Sequence, residues 1–404
     1  MFDRRRMLKS AGGMALGFGS MAIVGSPLKA FAAETVTLPF ANGERKLVQY
    51  PGKRPLIQLT SRPPQLETPF GVFDEGVLTP NDAFFVRYHL AGIPTSIDPA
   101  TYKIEVKGKV DAPLSLSLAD LKAMDAIEIV AVHQCSGNSR GFVDPRVAGG
   151  QLANGAMGNA RWKGVPLKSV LDKAGVQAGA VQVAFGGLDK PVIPATPDFV
   201  KALEIDHARD GEVMLAYQMN GEDLPFLNGF PVRLVVPGRF GTYWVKHLNE
   251  LTVLDSVYDG FWMKSAYRIP DNACACVEAG AKPDKTRPIG RFNVRSFVTN
   301  LTDGAKLKAG ETELRGIAFD GGTGIKSVET SIDGGKTWAP TKLGEDLGKY
   351  SFRQWSSKAT LPVGEASVMV RATSNGGETQ PTSPLWNPPG YMRNVVEITR
   401  VVAA

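Results

Sequence analysis

Beyond about Pro283 the chain acquires a rhythm of two. Val328, Thr330 and Ile332 alternate with Ser327, Glu329 and Ser331 up to Asp333-Gly334-Gly335. Ala366, Val368, Val370 and Ala372 alternate with Ser367, Met369 and Arg371 up to Asn375-Gly376-Gly377. Successive strand side chains point to opposite faces, so the pattern commits this region to half-buried strands joined by glycine turns, a β-sandwich. Upstream the rhythm is missing. Short apolar runs at Tyr102 to Val110, Ile127 to Val132, Val181 to Phe185 and Val213 to Ala216 are interleaved with short helical stretches, Leu116 to Leu121 and one running through Leu171. No long βα repeat develops, which points to α+β. With 404 residues, 43% hydrophobic and 21% charged, the chain has material for two such cores. It divides into a leader over 1–32, an α+β domain over 33–288 and a β-sandwich over 289–404, with the boundary near Gly290. Proline-rich runs between Ala33 and about Pro80 (Arg62-Pro63-Pro64, Glu67-Thr68-Pro69) read as an extended wrapping arm.

The leader carries Arg4, Arg5, Arg6 and Lys9, then the apolar Met14 to Val24, then Ala30-Phe31-Ala32 before Ala33. Basic, apolar and small-residue parts in that order make an export signal. The paired arginines followed by Met7-Leu8-Lys9 resemble a bacterial twin-arginine signal, which implies a periplasmic protein exported already folded. The apolar part is short for a bilayer span and nothing later is long enough, so no membrane span is expected. A formal charge of +6 would suit nucleic acid, but the first 32 residues hold five of the 46 basic residues and one of the 40 acidic ones. The +2 that remains argues against nucleic acid as a partner.

Chemistry concentrates in three stretches. In Val132-His133-Gln134-Cys135-Ser136-Gly137-Asn138-Ser139-Arg140-Gly141 a buried strand runs into a glycine-bearing turn, which presents the Cys135 sulfur at the strand terminus. A thiolate there can bind a soft metal or attack an electrophile, whereas a cysteine without context reads as an inert buried thiol. Here Arg140 adds a permanent cation suited to an oxyanion. In Asn81 to Leu90, a strand would place Arg87 and His89 on one face, which suits an anionic ligand as well as it suits a solvated surface. In Asn228 to His247, Gly238 and Gly241 let the backbone approach a ligand while Arg233 and Lys246 supply cations, as in a phosphate cradle; a tight turn with surface bases is the plainer reading. Cys274-Ala275-Cys276 are spaced too closely for an ordinary bridge and read as incidental thiols, and no Cys-x-x-Cys-His haem attachment run occurs.

Taken jointly, these stretches resemble the sulfite oxidase family of molybdenum enzymes, in particular its bacterial periplasmic sulfite dehydrogenases. The family's thiolate loop, usually Cys-Ala-Gly-Asn-Arg-Arg, stands here as Cys135-Ser136-Gly137-Asn138-Ser139-Arg140, and its Phe-Val-Arg-x-His run as Phe85-Val86-Arg87-Tyr88-His89. Its pterin-binding runs stand as Gly229 to Arg233 and Val236 to Lys246, and the last domain resembles the family's Ig-like dimerisation domain. The resemblance implies a mixed α+β molybdopterin-binding domain followed by an Ig-like β-sandwich. Cys135 would be the protein ligand to molybdenum, with the other sulfurs supplied by the dithiolene of molybdopterin. Tyr267 would be the active-site tyrosine, and Arg87, His89 and Arg140 would make the pocket that holds sulfite. Contacts to the cofactor would come from Arg87, Tyr88, His89, Asp189, Asn228, Arg233, Trp244, Val245 and Lys246. Two residues depart from the family pattern: Asn228, where relatives often have His, and Ser139, in place of Arg.

The activity so implied is oxidation of sulfite to sulfate. With no haem in this chain, electrons would leave one at a time to a c-type cytochrome. The chain would form a homodimer through its last domain or a heterodimer with a cytochrome subunit. Two rivals stand beside this reading. A periplasmic methionine-sulfoxide reductase-type subunit shares the fold and the export route but typically lacks the sandwich. A non-catalytic exported binding protein would leave Cys135 merely buried.

Overall fold

The structure, a computed structural model, describes residues 34–38 and 43–404; the export-signal reading of residues 1–32 lies outside them. The stretch read as a wrapping arm is instead a meander. Thr35–Leu38 (β1), Gly43–Val48 (β2), Leu56–Ser61 (β3) and Pro64–Glu67 (β4) pair antiparallel in sequence order, and Val86–Arg87 (β5) completes the sheet against β4. Proline content misled because the prolines stand at strand ends. Pro64 opens β4 and Pro69 follows it, places where a missing N–H breaks no ladder.

The strands that follow are Lys103–Gly108 (β6), Leu114–Ser117 (β7), Ile127–Gln134 (β8), Met157–Pro166 (β9), Gln182–Gly187 (β10), Lys201–Glu204 (β11), Met214–Met219 (β12), Glu222–Asp223 (β13), Arg233–Val235 (β14) and Leu248–Leu254 (β15). One sheet runs β11-β10-β15-β6-β7, with β15 and β6 parallel. The other runs β13-β12-β9-β8, with β14 also pairing with β12. β8 and β9 form an unbroken ladder from Ile127 opposite Gly164 to Gln134 opposite Met157. Gly164 is obligatory, since a Cβ there would come within 2.1 Å of the Leu215 carbonyl oxygen. Among the described residues helices are few and short. Leu118–Lys122 (α1) opens on a capping box between Ser117 and Asp120. Leu167–Ala174 (α2) buries Leu167, Val170, Leu171 and Ala174 along one face and stops at Gly175 with φ 68°.

From Arg295 onward, a four-stranded sheet (Arg295–Val298, Gly310–Phe319, Arg353–Leu361, Lys342–Leu343) packs on a five-stranded one that includes Ile325–Ser331, Gly364–Ser374 and Ile398–Ala403. This is the Ig-like sandwich. Val328, Val368, Val370 and Ala372, the apolar phase of the period-two pattern, are buried in its core with Leu314 and Trp355. Phe297, Ile317, Phe319 and Phe352 instead join the main core of the preceding residues, with edge-to-face rings Phe70–Phe297 and Phe73–Phe352 at 5.4 and 6.0 Å. The expectation of incidental thiols at 274 and 276 is corrected: Cys274 and Cys276 form a disulfide. Ala275 takes φ 50°, which folds the tripeptide until the two Cα atoms stand 5.1 Å apart, within ordinary bridging range.

Candidate active site

β8 is the outer strand of its sheet, so the chain leaves it at Gln134 with one side unpaired and turns sharply. Cys135 N donates to Ala156 O at 2.9 Å and Asn138 N to Cys135 O at 3.0 Å, while the Asn138 side chain accepts from Ala156 N at 3.0 Å. Ser139 completes the turn at φ 69°, its N–H donating to Ala153 O at 2.6 Å. The Cys135 thiol, half-buried and free, is thereby fixed at the wall of a cleft of about 470 Å³. Arg87, His89, His133, Asp189, Trp244, Val245, Lys246 and Tyr267 line the same cleft.

Its electrostatics follow from burial. The Lys246 ammonium is pulled down, first by burial and then by Arg233, with Asp189 opposing; burial pushes Asp189 up, with Lys246 opposing. His89 and His133 are held neutral, far below the ordinary imidazole range, chiefly by burial, with Arg87 next at His89 and Arg233 next at His133. Tyr267 is pushed up by burial and keeps its proton. Its hydroxyl meets His89 Nε2, and the His89 ring stacks on Phe199 with centroids 3.7 Å apart. Tyr267 itself sits at φ 58°, a left-handed conformation uncommon for an aromatic residue.

Four of the expected site residues lie behind the cleft wall. The Tyr88 hydroxyl is 2.7 Å from His247 Nε2, and its ring lies 4.0 Å from Lys246 Nζ. Asn228 Oδ1 accepts from Lys53 Nζ at 2.5 Å and its Nδ2 donates to Phe85 O at 3.0 Å, so its side chain is occupied in holding the Phe84–Phe85 segment. Arg233 donates to Asn228 O at 2.9 Å and Trp244 O at 3.2 Å between the Trp162 and Trp244 rings. Arg140 does not line the cleft. Its Nε donates to Pro389 O at 2.8 Å, an NH1 proton goes to Gly150 O at 3.2 Å, and its guanidinium lies 4.9 Å from the Tyr391 ring.

Residues 89–262 match the family described as the oxidoreductase molybdopterin binding domain, and residues 286–401 match the Mo-co oxidoreductase dimerisation domain. Sulfite oxidase of Gallus gallus is 32% identical over 385 residues, which cover 91% of this chain and 81% of that protein. The chain belongs to the sulfite oxidase family. Human mitochondrial sulfite oxidase is 35% identical over 363 residues, 85% of this chain but 65% of the human protein, so the chain spans about two thirds of that relative. Among solved structures, the sulfane dehydrogenase SoxCD of Paracoccus pantotrophus shares the fold, with a TM-score of 0.73 at 22% identity over 95% of this chain and 92% of that one.

The cleft fits the Mo-molybdopterin cofactor of the sulfite oxidase family. Among the described residues no group of three or more His, Cys, Asp and Glu side chains is placed to hold a metal. A metal on Cys135 would take its other donors from a bound group, which is what a dithiolene supplies. Ser136 Oγ, Thr242 Oγ1 and His133 Nδ1 are buried without partners and belong to residues that line the cleft, and Arg87 and Lys246 bring positive charge to it. Leaving a buried hydroxyl unpaired costs about 1–3 kcal/mol, so these atoms are suited to a polar, anionic ligand.

Sequence reasoning missed two residues packed against Tyr267. Lys201 is fully buried on β11, its Nζ donating to Trp262 O at 2.6 Å and lying 5.2 Å from the Tyr267 ring. Tyr391, from the C-terminal region, stacks on Tyr267 with centroids 5.6 Å apart. Neither sits in a motif. For Lys201, the one available signal was a charged residue beside the apolar Phe199-Val200 and Ala202-Leu203.

Proposed function

We propose that this member of the sulfite oxidase family oxidises sulfite to sulfate at a molybdenum held by Cys135 and molybdopterin, and passes the electrons singly to a c-type cytochrome. It works in the periplasm after twin-arginine export, and its last domain pairs it with a second copy or with a cytochrome subunit. The observation that carries the reading is the convergence of one free thiol, the Arg87 guanidinium, the Lys246 amine and the His89–Tyr267 pair on one cleft. When bound, the cofactor supplies the two-electron redox chemistry and the oxygen transfer.

The chain's own residues bind and orient. Arg87 draws the anionic substrate into the cleft and offers it a planar fork of N–H donors. Tyr267, protonated across the physiological range, brings a polar hydroxyl and no negative charge to that anion, while the bond to neutral His89 holds the hydroxyl and the stack on Tyr391 holds the ring. Lys246 and the unpaired Ser136 and Thr242 hydroxyls hold the polar parts of the cofactor. Phe199 and Trp262 pack around His89 and shield the pair from water.

Sulfite-dependent reduction of a c-type cytochrome by the purified, molybdenum-loaded protein tests the activity. Sulfate should form in step with cytochrome reduction, and a loaded protein that leaves sulfite unchanged rejects the proposal. Replacing Arg4, Arg5 and Arg6 with lysine should retain the protein in the cytoplasm; continued appearance in the periplasm would reject the twin-arginine route.

A further inference from the structure

The Cys274–Cys276 disulfide stands apart from the cleft, and the proposed reaction makes no use of it. Cys274 is exposed and borders a groove shared with Arg291 and the sandwich residues Asp320 and Thr323. The bridged loop is tied inward. Ala275, between the cysteines, is buried; its carbonyl accepts from Asn387 Nδ2 at 3.3 Å, and Val277 N donates to Trp386 O at 2.9 Å. The same Asn387 shapes the next turn, its Nδ2 donating to Tyr391 O at 2.9 Å and its Oδ1 accepting from Tyr391 N at 3.0 Å. Tyr391 then lies flat on Tyr267, with planes 6° apart, and Arg140 grips both the Tyr391 ring and the Pro389 carbonyl. Contacts thus run without a break from an exposed disulfide to the ring whose hydroxyl meets His89.

We propose that Cys274–Cys276 is a redox latch: bridged, it holds Trp386 to Tyr391 and so fixes the Tyr267 ring, and reduction by a dithiol releases that segment and slows turnover. A thiolate of the dithiol attacks the exposed Cys274 sulfur, and Cys276 leaves as a thiolate that takes up a proton. The second thiol of the reductant then closes its own disulfide and frees Cys274. Two electrons pass from the dithiol to the bridge, and the two protons end on Cys274 and Cys276. The bridge adds a covalent restraint to a turn that Asn272 also holds, accepting from Cys276 N at 3.2 Å and donating to Cys276 O at 2.8 Å; Ala275 sits there at φ 50°, a left-handed conformation that alanine disfavours, and with the bridge open the backbone relaxes and the Ala275 carbonyl swings away from Asn387. Tyr391 acts here as a positioning residue, working through Tyr267.

The effect on turnover rests on the proposed sulfite oxidation; the structural effect does not. Amide hydrogen exchange on the full-length, molybdenum-loaded protein, before and after dithiothreitol and with alkylated thiols counted by mass, reads the latch directly. Reduction should expose both cysteines with the fold intact, speed exchange at Gly390 and Tyr391 by about tenfold, and lower kcat for sulfite several-fold with KM little changed. A Cys274→Ser/Cys276→Ser variant should behave the same without reductant and respond no further to it. Asn387→Ala should loosen the same amides with the bridge intact. Unchanged exchange at Gly390 and Tyr391 after full reduction overturns the latch, as do free thiols at 274 and 276 in the exported protein. Faster exchange in a protein that never oxidises sulfite supports the latch and rejects the sulfite reading alone.

Discussion

Arg87 is the side chain through which substrate charge is felt most directly, since it lines the cleft beside Cys135 while its NH1 is anchored on the neighbouring Tyr88 carbonyl. Arg87→Gln is expected to raise the sulfite KM by about tenfold or more, the scale of a lost charge-assisted hydrogen bond, with a smaller effect on kcat. Steady-state kinetics decide it, and an unchanged KM removes Arg87 from substrate binding. Tyr267→Phe keeps the stack on Tyr391 but deletes the hydroxyl facing His89, so kcat should fall by about tenfold or more while thermal stability holds. At this scale the sequence was legible in type but not in direction. Cys135, Arg87, His89, Lys246 and Tyr267 were identifiable and all reach the cleft. Arg140 and Asn228 were equally identifiable, yet their side chains are claimed by Pro389, Gly150, Lys53 and Phe85, partners that no local spacing reveals.

Elements place these side chains through a few tight approaches. The short 3-10 turn Gly241–Tyr243 runs so close to β8 that a Cβ on Gly241 would meet His133 Nε2 at 2.5 Å. Gly241→Ala should push the turn and the His133 ring apart, distort the wall that carries Thr242 and Trp244, and cut molybdenum content well below that of the wild type while the chain stays folded. Metal analysis beside circular dichroism checks this, and full loading would show that the turn tolerates the methyl group. Elements with a strong local code were legible: the capping-box helix α1, the apolar stripe of α2 and the sandwich strands of period two. The meander β1 to β4 was not, because its strands are short and punctuated by proline. The Cys274–Cys276 bridge was hidden too, because it requires a left-handed conformation at Ala275 that the spacing of the two cysteines does not announce.

The whole molecule is stitched across its two regions at the back of the thiol loop. Arg295, buried at the start of the sandwich, donates to Ser139 Oγ at 2.7 Å and Asn154 Oδ1 at 3.3 Å, and pairs with Glu397 at 3.1 Å. Burial lowers Arg295 to about 10, with Glu397 opposing. Glu397→Ala leaves that guanidinium without its carboxylate and should destabilise the protein by about 3 kcal/mol; a denaturant midpoint equal to the wild type's would contradict this.

Stability should also fall in mild acid. His89 and His133 are held far below the ordinary imidazole range and His247 is lowered to about 4, in each case by burial first. As pH drops through about 6.5 the unfolded chain takes up protons that these folded imidazoles refuse, so each removes roughly 1.4 kcal/mol per pH unit. Glu67, pushed up to about 7 by burial, and Asp189, also pushed up by burial, work in the opposite sense, two groups against three. Melting curves between pH 7.5 and 5 (roughly the window in which these imidazoles act) should therefore shift downward, and a flat or rising trend would contradict the neutral imidazoles.

The central claim is that Cys135 and the cleft around it hold molybdenum through molybdopterin. Elemental analysis of molybdenum per chain, on protein produced in a host that makes the cofactor and compared with Cys135→Ser, tests it most directly. The account predicts metal stoichiometric with the wild-type chain, and a variant that is metal-depleted or unable to oxidise sulfite. A wild-type chain that is folded, exported and free of molybdenum would contradict it.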